Sequence, residues 1–318
     1  MIPTTPPATL SKQDLSLDLS TAERVAHGAA AHSMGDFDAA LNEFTVLALE
    51  GNASAQFNLS LMYLNGQGVA QDDATAINWL SKAAEQGLAA AQYSIGKLYA
   101  DGQGVQHDDY EAARWYLKAA EQGNTGAQNS LGFLYEKGLG VPQDQAEAVK
   151  WFQLAALEGF ANAQYNLGVA YESGKGVAQD YFEAIKWYRL AAKQGFEPAQ
   201  FNLGLCYEDG QGVSQDFVEA TRWYRLAAEQ GDAKSQLNLG LLYFNGQGVA
   251  KDHVEAMRWI SLSADQGLAD AQFNLAVLLE HGMGTERDTA RALILYNLAV
   301  KSGVVGAEER RDKLAAQF

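Results

Sequence analysis

A period of 36 residues runs through most of this sequence and limits the folds that the chain can adopt. All six tryptophans follow it: Trp79, Trp115, Trp151, Trp187, Trp223 and Trp259. Seven glutamines follow it as well: Gln56, Gln92, Gln128, Gln164, Gln200, Gln236 and Gln272. A repeat of constant length predicts a stack of similar units, because each unit must bury its apolar face against the next one.

The first half of one unit, which spans residues 163–198, has the pattern of an amphipathic helix. Leu167 and Tyr171 recur at helical spacing and define this helix, A, which Gly174 can close in the left-handed conformation. Gly168 lies inside helix A, where glycine costs about 1 kcal/mol relative to alanine. We therefore expect a neighbouring helix to pack closely against Gly168.

The second half of the unit predicts another helix, B, which begins at Asp180 and ends at Gly195. Glu183 follows Asp180 at the spacing of a capping box, in which each of the two side chains accepts a hydrogen bond from a backbone amide at the helix start. We expect Trp187 to fill the space between successive helix pairs. The aspartate–glutamate pair recurs as Asp108/Glu111, Asp144/Glu147, Asp180/Glu183, Asp216/Glu219 and Asp252/Glu255.

The repeated motifs resemble those of a known family. The pattern Ala-Gln-x-Asn-Leu-Gly-x-x-Tyr, then Gly-x-Gly-Val, then Asp-x-x-Glu-Ala-x-x-Trp-Tyr is similar to the Sel1-like repeat, a longer-loop relative of the tetratricopeptide repeat. The resemblance implies an all-α fold, a right-handed α/α superhelical solenoid. It also implies a role as an adaptor or scaffold in complexes with other proteins.

The sequence predicts four segments. Residues 1–19 are expected to be a disordered leader, and residues 20–52 a tetratricopeptide-like pair of capping helices. Seven Sel1-like repeats follow over residues 53–303, and residues 304–318 form a C-terminal capping helix. The polar surface of that last helix is what an open-ended stack needs for solubility.

The net charge narrows the classes of partner that the chain can bind. A net charge of −16 argues against DNA, RNA and anionic membranes, which need a basic surface. We expect a protein or peptide partner, with basic and apolar residues, and a monomeric chain.

The single cysteine, Cys206, excludes an intramolecular disulfide, and no run of residues resembles a signal peptide or a membrane span. We therefore expect a cytoplasmic protein.

Catalysis is not indicated by any cluster of residues. The five histidines are scattered, and Cys206 stands at an apolar position of helix A. We therefore predict no catalytic residue, no metal ion and no cofactor. Two alternatives stay open: a hydrolase of the β-lactamase-like type claimed for cysteine-rich Sel1-like relatives, and a structural protein that assembles end to end.

The candidate binding surface is the concave wall of the solenoid, which A helices line in such folds. One position of helix A is mostly asparagine, the position three residues later is mostly apolar, and a glutamate follows in several repeats. These residues could bind an extended peptide, or they could serve only to cap the backbone and pack the repeats together. The candidates are Asn166, Val169, Glu172, Asn202, Leu205, Glu208, Asn238, Leu241, Asn274 and Val277.

Overall fold

A computed structural model describes residues 20–317, and all of the regular secondary structure in this part of the chain is helical. It contains seventeen helices and no strand. The predicted all-α class is therefore confirmed. The leader that we predict for residues 1–19 lies outside the described residues.

The chain divides into two compact units, one that ends at Trp151 and one that begins at Phe152. The helices of the first unit are α1 (Thr21–Ser33), α2 (Phe37–Leu49), α3 (Ala53–Asn65), α4 (Asp73–Glu85), α5 (Ala89–Asp101), α6 (Asp109–Glu121) and α7 (Thr125–Lys137). Helix α8 (Gln145–Leu157) contains the boundary.

The second unit contains four helix pairs and a final helix. Its helices are α9 (Ala161–Ser173), α10 (Tyr181–Lys193), α11 (Glu197–Asp209), α12 (Phe217–Glu229), α13 (Ala233–Asn245), α14 (His253–Asp265), α15 (Ala269–His281), α16 (Thr289–Lys301) and α17 (Ala307–Ala315). The odd-numbered helices α9 to α15 are A helices and the even-numbered ones are B helices. Each helix packs chiefly against the helices that precede and follow it in the chain.

The turn between helices A and B explains both the glycine and the aspartate of the motif. Helix α9 ends at Gly174, whose φ of 70° lies in the left-handed region. The side chain of Asp180 then caps α10 by accepting hydrogen bonds from the amides of Phe182 and Glu183, at 2.9 and 3.1 Å. Both predicted helix boundaries follow from this local chemistry.

The predicted capping box is wrong in its glutamate half. The backbone amide of Asp180 donates to the carbonyl of Tyr171 at 2.9 Å, so no donor is left for Glu183. Glu183 instead forms an ion pair with Lys186, one turn further along the surface of α10. Among the described helices that the motif did not cover, α1 has a complete capping box, between Ser20 and Glu23.

The close contact predicted at the glycine inside helix A is confirmed. A β-carbon placed on Gly168 would lie 2.6 Å from the ring of Tyr188, which belongs to the B helix of the same repeat. The equivalent distance from Gly204 to Tyr224 is 2.5 Å. The glycine is needed because the tyrosine ring lies directly against the backbone of helix A.

The periodic glutamines connect successive helix pairs. Gln200 is buried, and its amide donates to the carbonyl of Ala192 at 3.2 Å while its oxygen accepts from Gln230 at 2.7 Å. The same two bonds recur around Gln164 and Gln236. A glutamine fits here because it can satisfy a helix-end carbonyl and a side-chain donor together.

The periodic tryptophans lie in the core between successive pairs, as predicted. Trp223, on α12, packs against Ile185 and Tyr188 of α10 and against Leu203 of α11. Only 5% of Trp223 is exposed. Each such tryptophan therefore belongs to a core that two repeats share.

Candidate functional site

The ten predicted binding residues lie on the four A helices of the second unit, α9, α11, α13 and α15. All ten are half-buried. They form part of the side of each A helix that stays accessible, which we call the A-helix face. All ten therefore lie in the second unit of the chain.

The apolar members of the A-helix face occur once in each repeat, as Val169, Leu205, Leu241 and Val277. Each packs partly against a core cluster of the unit and keeps part of its surface accessible. The row therefore contributes to inter-repeat packing and also presents apolar surface.

The asparagines of the face make hydrogen bonds inside the protein. Asn202 of α11 hydrogen-bonds the hydroxyl groups of Tyr165 and Tyr188, which belong to the preceding repeat. Asn238 of α13 hydrogen-bonds the hydroxyl group of Tyr224, again in the preceding repeat. The Asn274 amide donates to the carbonyl of Asp270 at 2.7 Å. Asn202 and Asn238 thus help to fasten one repeat to the next.

Three glutamates on the accessible side of the A helices accept hydrogen bonds from buried tyrosines. The hydroxyl of Tyr188 donates to Glu172 at 2.5 Å, and Tyr224 donates to Glu208 at 2.5 Å. Tyr296 donates to Glu280 at 2.6 Å. Each glutamate is held in place by a buried tyrosine of its own repeat.

These contacts change the acidity of the tyrosines. Burial, and then the hydrogen bond to Glu172, raise the pKa of Tyr188 far above its usual range. Burial and the hydrogen bond to Glu208 raise the pKa of Tyr224 in the same way. Both hydroxyl groups therefore stay protonated and keep donating to their glutamates at any physiological pH.

The helix that follows the last repeat, α17, has a basic side chain at the position equivalent to the asparagine. Arg310, on α17, is 36 residues after Asn274. It hydrogen-bonds Tyr296 and lies 3.5 Å from the carboxylate of Glu280. The tyrosine–glutamate pair of this repeat therefore has a cationic partner within the chain.

The tyrosines of the B helices are the site residues that sequence reasoning missed. Tyr188 and Tyr224 are fully buried, and their hydroxyl groups bond to the glutamates of the face. A sequence signal existed, because the three repeats of this unit with tyrosine at that position also have glutamate 16 residues earlier. The repeat of α13 and α14 has Phe244 and Ile260 at those two positions instead.

The side chains that could perform chemistry are not gathered at the face. Cys206 is 3% exposed, and burial raises the pKa of its thiol to about 12, so the thiolate nucleophile is not formed near neutral pH. Within residues 20–317, no group of three or more His, Cys, Asp and Glu side chains is placed to hold a metal ion. In the same range, no helix has the length and hydrophobicity that crossing a membrane requires.

Comparison with known families and structures identifies the repeat. The family model of the Sel1 repeat matches residues 53–88, 89–124, 125–160, 161–196, 197–232, 233–268 and 269–304. Proteins built from this repeat generally act as protein-interaction scaffolds and are generally non-catalytic. No curated protein matches the sequence.

Two solved structures are similar over most of the chain. A protective antigen of uropathogenic Escherichia coli strains, with an SLR fold, is 38% identical with a TM-score of 0.83; the match covers 86% of this chain and 59% of that one. A Sel1 repeat protein from Oxalobacter formigenes is 29% identical with a TM-score of 0.69, and the match covers 98% and 97% of the two chains. With seven consecutive matching repeats and these structural relatives, the chain belongs to the Sel1 repeat family, and its fold is a helical solenoid.

Proposed function

We propose that the protein is a non-enzymatic adaptor that binds an extended segment of a partner protein along the A-helix face of its second unit. The observation that supports this best is the row of half-buried apolar side chains, one per repeat, beside the glutamates that tyrosines hold. Such a surface fits a segment with apolar anchors and basic residues. The ten face residues are its proposed ligands.

The asparagines play a smaller part in this proposal than their number suggests. Asn202 and Asn238 already bond to tyrosines, so their free hydrogen-bonding capacity is limited. Affinity then depends mainly on the apolar row and on the carboxylates. We expect the adaptor to act as a monomer, since the partner supplies the second surface.

The experiment compares two double variants that make the same chemical change on the A helices and on the B helices of the unit. Leu205→Lys with Leu241→Lys places charge on the A-helix face. Leu190→Lys with Leu226→Lys is the matched control, because these two leucines are 40% and 37% exposed on the B helices α10 and α12. Both proteins are first checked for unchanged helical circular dichroism.

Peptides are selected from a random phage-displayed library against the unaltered full chain and then titrated against the three proteins. We expect the A-face variant to weaken binding about tenfold or more, because a buried charge replaces an apolar contact at the interface. The B-face control should bind within twofold of the unaltered protein. Equal loss in both variants, or loss in the control alone, would place binding elsewhere and contradict the proposal.

A further inference from the structure

The second unit contains the same tyrosine–glutamate pair in three different repeats, and this permits an internal comparison. The pairs are Tyr188 with Glu172, Tyr224 with Glu208, and Tyr296 with Glu280. In each pair the tyrosine hydroxyl binds one carboxylate oxygen, Oε2, so the carboxylate has a fixed orientation. The three pairs differ in what lies beside them on the next A helix.

Beside Glu280, helix α17 supplies a guanidinium. Arg310 lies 3.5 Å from Glu280 Oε2, and the glutamate side chain is only 14% exposed. Beside Glu172 and Glu208, the equivalent residues are Asn202 and Asn238, which carry no charge. Within residues 20–317, neither of these two glutamates forms an ion pair.

The difference has an energetic consequence. A half-buried carboxylate without a cation has lost part of its hydration and has gained only a hydroxyl donor in return. A guanidinium that approaches it from the face would restore the missing interaction with charge-assisted hydrogen bonds. Arg310 shows that the fold accommodates a guanidinium at this place next to a tyrosine-bound glutamate.

The repeat also sets the order of the ligand's contacts. Helices α9 and α11 both pack on α10, so the A helices of successive repeats follow one another and present Glu172 and Glu208 in order along the face. At the third repeat, Phe244 replaces the glutamate and is half-buried, so an apolar residue fits there.

We propose that Glu172 and Glu208 are two arginine subsites for an extended partner segment that carries two arginines followed by an apolar residue. The apolar residue of that segment lies against Phe244. Glu280 is not a subsite, because Arg310 already fills its place. This assignment rests on the proposed function and adds the chemistry of the partner to it.

The test uses a fluorescein-labelled peptide, Gly-Pro-Arg-Pro-Ala-Arg-Pro-Ala-Leu-Pro-Gly, titrated with the full chain by fluorescence anisotropy. Replacing both arginines by citrulline, which has the same shape without the charge, should weaken binding at least ~tenfold. The weakening should shrink as salt is added, because the contacts are charged.

Variants of the protein locate the subsites. Glu172→Gln and Glu208→Gln should each weaken the arginine peptide about fivefold to tenfold, whereas Glu280→Gln, the matched control, should leave it within twofold. Asn202→Arg supplies a cation to Glu172 within the chain, as Arg310 does for Glu280, and should weaken the peptide as much as Glu172→Gln does. That variant retains both Tyr188 and Glu172, and urea unfolding checks that loss of the Asn202 bonds to Tyr165 and Tyr188 has not disturbed the repeat.

Three results would overturn the assignment. These are no binding of the arginine peptide to the unaltered chain, equal binding of the citrulline peptide, or equal weakening by Glu280→Gln and Glu172→Gln. In any of these cases the adaptor function is judged separately, by whether peptides from the unbiased library distinguish the A-face variant from the B-face control. If the arginine peptide fails but the library peptides distinguish the two variants, the protein is an adaptor that recognises apolar anchors alone.

Discussion

Buried glutamines connect neighbouring repeats of the second unit through pairs of hydrogen bonds. Gln200 bonds to the carbonyl of Ala192 at the end of one B helix and to Gln230 of the next. Gln200 is only 3% exposed, whereas Gln230 is exposed. Because water cannot replace the buried bond, the two glutamines should differ in their contributions to stability.

We therefore predict that Gln200→Leu lowers the free energy of unfolding by about 2 kcal/mol, since it removes two hydrogen bonds, the buried one to the Ala192 carbonyl and the one from Gln230. Gln230→Leu should cost less than about 1 kcal/mol, because that side chain can bond to water. Urea unfolding followed by circular dichroism measures both. Equal losses of stability would show that the bond between Gln200 and Gln230 makes the main contribution, and that the bond to the Ala192 carbonyl contributes little.

At the scale of the element, each B helix depends on an aspartate at its start. Asp180 accepts hydrogen bonds from two amides of the first turn of α10, whereas Glu183 pairs only with the exposed Lys186. A cap satisfies donors that have no partner within the helix. An exposed ion pair contributes little, because water screens it.

The helix start therefore offers a contrast between two acidic residues. Asp180→Ala should destabilise the protein by about 1 kcal/mol through loss of the cap. Glu183→Ala should change the stability by less than about 0.5 kcal/mol. Thermal unfolding of the two variants provides the measurement, and a larger loss for Glu183→Ala would restore the capping box that the structure contradicts.

At the scale of the whole molecule, the helices within each unit contact chiefly their neighbours in the chain, as expected for a repeat protein. The second unit contains four repeats of one length, each of which begins with a residue that starts an A helix. Removing one entire repeat therefore joins equivalent positions. Asp232, which now caps α13, would then precede α15.

We expect a chain without residues 233–268 to fold with the same helical content per residue and to unfold cooperatively. Removing residues 233–250 instead deletes α13 and the turn that follows it, so two B helices become consecutive and the packing order is lost. Circular dichroism and urea unfolding distinguish the two proteins. Loss of cooperative unfolding in the first deletion would mean that distant repeats depend on each other.

The sequence predicted much of the helical organisation because its signals are local. Gly174 ends a helix by adopting positive φ, and Asp180 begins one by accepting from the amides two and three residues later, within a few residues of chain. The period of 36 residues indicated that similar units follow one another. The glycine at position 168 even predicted a close neighbour, although not that this neighbour is Tyr188.

The candidate face could be predicted only in part. Helical periodicity placed Asn166, Val169 and their equivalents on one side of helix A, and these side chains are half-buried. Periodicity within one helix says nothing about contacts with the next helix. The sequence therefore could not reveal that Asn202 bonds to tyrosines of another repeat or that Glu172 accepts from Tyr188.

The sequence by itself determined the repeat, the family and the boundaries of each helix pair, because these depend on interactions between residues that are near in the chain. Only the tertiary structure decided which glutamates have a counter-ion. Arg310 and Glu280 are 30 residues apart and come together when α17 packs on α16. Glu172 and Glu208 occupy equivalent places without an ion-pair partner among residues 20–317, and charge compensation across packed helices depends on where folding brings the side chains.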